Sequence, residues 1–132
     1  MFVTPLYAGV LVLLFLVLSA RVIYFRRTGI SLGDGGDAGM LRVIRGHANF
    51  AEYVPLALLL MGMLELGRFS FFALHALGIT LVVARLLHGY ALSFSKHFPF
   101  GRLWGAALTF LVLLIEAVLC LYLAYQGHLV MR

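Results

Sequence analysis

Four long apolar stretches decide most of what this chain can fold into. The predicted helices cover approximately residues 3–27, 39–67, 69–94 and 101–126, each with at least the roughly 20 residues that a helix needs to cross hydrocarbon. Of the 132 residues, 64% are hydrophobic and 11% are charged, whereas soluble domains carry roughly 25% charged residues. Residues 1–132 are therefore predicted to form one all-α transmembrane domain, an up-and-down bundle of four helices.

Basic residues are concentrated at two of the three predicted connections. Lys96 and Arg102 flank the third connection, whereas the second has only Arg68. Under the positive-inside rule, the first and third connections are expected in the cytoplasm and both termini outside it. Because the net charge of +5 comes from membrane-flanking positions, we expect no binding of nucleic acid. The arginines around the first connection are Arg21, Arg26, Arg27, Arg42 and Arg45.

A polar stripe interrupts the second predicted helix. Arg45, Asn49 and Glu52 stand at positions i, i+4 and i+7, which share one helical face, and Tyr53 lies at its edge. An ionisable side chain within a membrane span is by default paired, turned inward or functional, because its transfer into hydrocarbon is costly. The stripe is therefore suited to binding a polar ligand.

Further basic groups are predicted at the same membrane level. Arg85 and His88 stand three residues apart on the third helix, Arg21 lies on the first helix, and Arg102 begins the fourth. Arginine exceeds acid at this level, and like charges repel unless an anion lies between them. The sequence thus predicts an anionic ligand, and we expect no metal ion.

Structural interpretations remain open for some of these residues. Arg26 and Arg27 are expected to reach the lipid headgroups, and Arg45 with Glu52 could instead form an ion pair that holds the bundle together. His47 points away from the stripe and is expected to be a hydrogen-bonded packing residue. Glu116 is either neutral through desolvation or paired with a group that the sequence does not reveal.

The segment Arg45–Pro55, with the sequence RGHANFAEYVP, resembles the helix-two signature of the MAPEG superfamily, the membrane-associated proteins in eicosanoid and glutathione metabolism. The segment Arg85–His88, Arg102 and the acidic glycine loop over residues 33–39 support the resemblance, which covers essentially the whole chain. The short length and this loop are similar to the small bacterial branch. The resemblance implies a homotrimer in a bacterial inner membrane, with glutathione bound between subunits on the cytoplasmic side.

The resemblance also implies residue roles. Arg102 would be the catalytic residue, since an arginine near the sulfur favours the glutathione thiolate. Glutathione carries two carboxylates and one ammonium group, so several arginines with one glutamate are a complementary set. The implied glutathione contacts are Arg21, Arg45, Asn49, Glu52, Tyr53, Arg85 and His88.

The expected function is that of a membrane glutathione transferase or peroxidase. Glutathione would be the co-substrate, and a lipophilic electrophile would enter from the membrane lipid. Two alternatives stay open at this point. One is a non-catalytic membrane protein that binds lipid or glutathione, and the other is a small transporter that uses Arg85 and Glu116.

Overall fold

Four helices make up the bundle. The computed structural model describes residues 2–95 and 97–130, the last three of these by their backbone alone. The helices are α1 (Thr4–Arg26), α2 (Ala38–Leu66), α3 (Phe71–Ser93) and α4 (Pro99–Val130), and each is long and apolar enough to span a membrane. The predicted all-α architecture of four membrane-spanning helices is therefore confirmed.

Local chemistry explains where the helices begin. The Asp37 carboxylate accepts a hydrogen bond from the Met40 amide at 2.6 Å and so caps the start of α2. Helix α3 begins at Phe71, two residues later than expected, because Arg68 adopts a positive φ of 57° and turns the chain. Helix α4 begins earlier than expected, at Pro99, where the fixed φ of proline suits a first helical turn.

Helices α2 and α3 form the middle of the bundle. Helix α1 packs on both of them, and α4 packs on both from its own side. The core between them is aliphatic, and small residues allow close approach where helices cross. Gly105 of α4 is one such residue, because it lies directly against the backbone of α3 at Ala84 and His88. The core includes Leu11, Leu18, Met61, Leu64, Leu81 and Val112, each at most 1% exposed.

Polar contacts join the helices at the end where α1 begins. The Glu65 carboxylate of α2 accepts hydrogen bonds from the backbone amides of Val3 and Thr4, at the start of α1. The Tyr7 hydroxyl lies 2.6 Å from Nδ1 of His75 on α3. These contacts satisfy helix-terminal donors and fix α1 against its neighbours.

Candidate functional site

The candidate site lies at the basic end of the bundle, defined as the end where α1 and α3 finish and α2 and α4 begin. A cavity of about 330 Å³ opens there between α2, α3 and α4, and we call it the basic cavity. Three arginines line it, and no Asp or Glu is among the described residues of its lining. Such a lining favours an anion. The lining residues are Leu41, Arg42, Arg45, Asn49, His88, Leu92 and Arg102.

The basic cavity thus brings together four of the residues singled out from the sequence. Arg45 and Asn49 are one turn apart on α2, His88 comes from the last part of α3, and Arg102 from the first turn of α4. Arg45 and Arg102 are exposed, whereas His88 is buried, with 6% of its surface exposed. Two exposed cationic side chains therefore line the opening, and a buried histidine forms part of its inner wall.

Arg85 lies behind the cavity wall. It is 1% exposed, and its Nη1 donates to Oδ1 of Asn49 at 2.9 Å while its Nη2 donates to the Gly105 carbonyl oxygen at 3.2 Å. These two bonds link α3 to α2 and to α4. Arg85, predicted to contact the ligand, is not among the residues that line the basic cavity, but it hydrogen-bonds to Asn49, which is.

Arg21 and Arg42 fasten the end of α3. Arg21 donates to the Ser93 carbonyl oxygen at 2.9 Å, and its guanidinium carbon lies 4.7 Å from the centroid of the Phe94 ring. Arg42 donates to the carbonyl oxygens of Ala91, at 2.7 Å, and of Ser95. The last carbonyls of a helix have no intrahelical partner, so both arginines serve as a C-terminal cap.

Arg42 also connects three neighbouring cavities. It lines the basic cavity, a cavity of about 540 Å³ shared with Arg102, and one of about 110 Å³ shared with Arg21. Arg42 is predicted only as one of the arginines around the first connection and is not among the predicted site residues. Its position three residues before Arg45, on the same helical face, was the signal for it.

Glu52 and Tyr53 lie deeper along α2 and are not among the residues that line the basic cavity. Glu52 is exposed on the single chain, about 21 Å from the start of α2 at the rise of an α-helix. The Tyr53 ring packs edge-on against Phe110 of α4, with 5.2 Å between ring centroids. Because both Arg45 and Glu52 are exposed, they do not form a buried ion pair.

The remaining polar residues of the spans lie elsewhere. His47 stacks on Phe15 with 4.7 Å between ring centroids, and its Nε2 is 3.1 Å from the Ser19 hydroxyl oxygen, so it has the packing role expected from its helical position. Glu116 is fully buried in α4. Arg85 binds the carbonyl oxygen of Gly105, and Glu116 lies about 16 Å further along the axis of α4. Arg85 and Glu116 therefore do not pair.

Comparison with known proteins gives the family. Residues 4–122 match the sequence model of the MAPEG family. The "Inner membrane protein YecN" of Escherichia coli strain K12 is 36% identical over 89 residues, which span 67% of this chain and 68% of that protein, and its counterpart in strain O6:H1 matches equally. No solved structure matches the chain significantly.

The four membrane-length helices and this relative together support an integral, multi-pass protein of the inner membrane. The matched region includes every residue of the basic cavity. With a family match over most of its length, the chain belongs to the MAPEG family, which includes glutathione-dependent enzymes.

Proposed function

We propose that this protein is a glutathione-dependent membrane enzyme, a transferase or peroxidase, that activates the glutathione thiol toward lipophilic electrophiles. The observation that carries the proposal is the basic cavity, where Arg42, Arg45 and Arg102 converge with Asn49 and His88. Guanidinium groups bind carboxylates through paired, charge-assisted hydrogen bonds, so this lining fits a small peptide with two carboxylates.

The roles within the cavity follow from position. Arg45 and Asn49, next to each other on α2, are suited to holding a carboxylate and its neighbouring amide. Arg102 is exposed at the start of another helix, so its guanidinium can approach the thiol sulfur and stabilise the thiolate. In a transferase, the thiolate attacks an electrophilic carbon and either displaces its leaving group or adds to an activated double bond. In a peroxidase, it attacks the outer oxygen of a hydroperoxide, the O–O bond breaks, an alcohol leaves, and a second glutathione converts the resulting sulfenic acid to the disulfide and water.

The exposure of Glu52 is the reason to propose that the protein assembles into a homotrimer. An ionisable side chain exposed near the middle of a membrane-spanning helix is costly in contact with lipid. The exposed Leu59 and Met63 further along α2, at 61% and 53%, can contact lipid without cost, so the case for a covering subunit rests on Glu52. Neighbouring subunits would cover this face, and the Glu52 carboxylate with Tyr53 would then complete the glutathione site at the subunit boundary.

The test is a titration of the detergent-purified protein with glutathione, followed by thiolate absorbance and by calorimetry. Arg102→Ala should abolish the thiolate signal while binding is largely kept, because Arg102 acts on the sulfur. Glu52→Ala should weaken binding by about tenfold or more, as expected for loss of a charged hydrogen bond. Arg27→Ala, which removes an exposed arginine outside the cavities, is the matched control and should change neither.

The outcomes separate the candidate functions. Absence of glutathione binding by the wild-type protein would contradict the proposal. Binding without thiolate or conjugate would instead identify a non-catalytic binding protein. Transport of glutathione across the membrane of liposomes that contain the protein, without conjugate formation, would identify a transporter.

A further inference from the structure

Glu116 is buried inside the bundle without a partner. Its side chain has no exposed surface, and neither carboxyl oxygen has a hydrogen-bond partner among the described residues. It lies about 26 Å from the start of α4, near the middle of a helix that spans the membrane. The proposed glutathione chemistry makes no use of it.

The part of α2 at the level of Glu116 is apolar. One turn further along α4, the Cys120 thiol donates to the Leu60 carbonyl oxygen at 3.8 Å, which fixes the part of α2 at this level. The buried α2 side chains nearest Leu60 in the sequence are Ala57 and Met61. The titratable groups of α2 on either side, Tyr53 and Glu65, lie at least one helical turn from Leu60.

Helix α3 also offers no partner. Gly105 of α4 packs against Ala84 and His88 of α3. Glu116 follows Gly105 by about 16 Å along α4, and because α3 runs in the opposite direction, Leu74 and His75 lie at the level of Glu116. Leu74 is buried and apolar. His75 contacts the α1 side instead: its Nδ1 lies 2.6 Å from the Tyr7 hydroxyl, and it forms no hydrogen bond with either carboxyl oxygen of Glu116.

A neighbouring subunit cannot satisfy Glu116 either. Both carboxyl oxygens are covered by the chain's own side chains, so contact between copies leaves them where they are. A metal ion would require several oxygen ligands. Among the described residues, no group of three or more His, Cys, Asp or Glu side chains could hold a metal ion.

An isolated carboxylate in an apolar core is far more costly than the neutral acid, which only lacks a hydrogen bond. We propose that Glu116 is a proton-binding site, an un-ionised carboxylic acid enclosed by α2, α3 and α4. Loss of the proton would place an unpaired charge between packed helices. Proton occupancy is therefore linked to the packing of α4 on the rest of the bundle.

Infrared spectroscopy of the protein in lipid vesicles at neutral pH tests this directly. The wild type should show the carbonyl stretch of a protonated carboxyl group, and Glu116→Gln should lack it. Glu65→Gln is the matched control, since the Glu65 carboxylate accepts two backbone hydrogen bonds and its removal should leave the band in place. A wild-type spectrum without this band, or a band that survives Glu116→Gln, would overturn the proposal.

Stability provides a second, independent measurement. Glu116→Leu replaces an unpartnered neutral acid by an apolar group of similar size, so the melting temperature should rise or stay the same. If Glu116 were a carboxylate paired with a cation, Glu116→Leu would clearly lower the melting temperature, and this result would refute the inference. A melting temperature of the wild type that depends on sodium or potassium would count against the proton as the ligand.

Discussion

The contact between α3 and α4 at Gly105 allows a quantitative test of the fold. A Cβ added at this glycine would lie 2.7 Å from the Ala84 carbonyl oxygen, 2.7 Å from Cβ of His88 and 2.8 Å from its amide nitrogen. Ordinary contacts require about 3.5 Å, so Gly105→Ala forces a displacement of roughly 0.8 Å. Two of the three opposing atoms belong to helical backbone, which cannot move as a side chain can.

The expected cost follows from two opposing effects. Overpacking of a closely packed contact costs typically about 1–3 kcal/mol, and rigid backbone neighbours place Gly105→Ala near the upper value. Alanine recovers about 0.5–1 kcal/mol through its better helix propensity. We therefore expect Gly105→Ala to lower the free energy of unfolding by about 2 kcal/mol.

The assay is unfolding in detergent micelles by increasing dodecyl sulfate, followed by circular dichroism. Gly9→Ala is the matched control, because the new methyl group at that exposed position in α1 meets nothing within 4 Å and should be neutral or stabilising. Glutathione binding should also weaken in Gly105→Ala, since Arg102 lies on the same turn of α4. Equal stability of the two variants would refute the packing argument.

Three further predictions concern the contacts between helices. Glu65→Ala should lower the free energy of unfolding by about 2 kcal/mol, because the carboxylate accepts from amides at the start of α1; an unchanged unfolding curve would contradict this. Tyr7→Phe should lower the free energy of unfolding by about 1 kcal/mol through loss of the hydrogen bond to His75, and an unchanged unfolding curve would show that this bond does not stabilise the fold. Arg42→Met should speed hydrogen exchange of the Ser95 amide about tenfold or more, and exchange at the wild-type rate would show that the cap is dispensable.

The number and type of helices could be predicted because apolar length alone specifies a membrane span. Details at the helix ends could not, since they depend on local turns. The start of α3 was placed too early because the conformation of Arg68 is not visible in the hydrophobic pattern. Helix α4 begins two residues before its predicted start because Pro99 suits a first helical turn, and the hydrophobic pattern does not distinguish such a turn from a loop.

The candidate site shows the same division. Positions along one helix can be inferred from spacing, and Arg45 and Asn49 do face the same cavity. Contacts between helices cannot be inferred in this way. The sequence therefore did not reveal that Arg21 binds the Ser93 carbonyl oxygen or that Arg85 binds Asn49.

The contact between Arg85 and Asn49 has a consequence for selectivity. A guanidinium group has no acceptor, so the amide of Asn49 must turn its oxygen to Arg85 and leave its NH₂ group for other partners. Together with Arg45 and Arg102, this gives the wall an excess of hydrogen-bond donors. Such a wall should bind a ligand with free carboxylates more tightly than the ester or amide of the same ligand, because the ester and the amide lack the negative charge that the donors face.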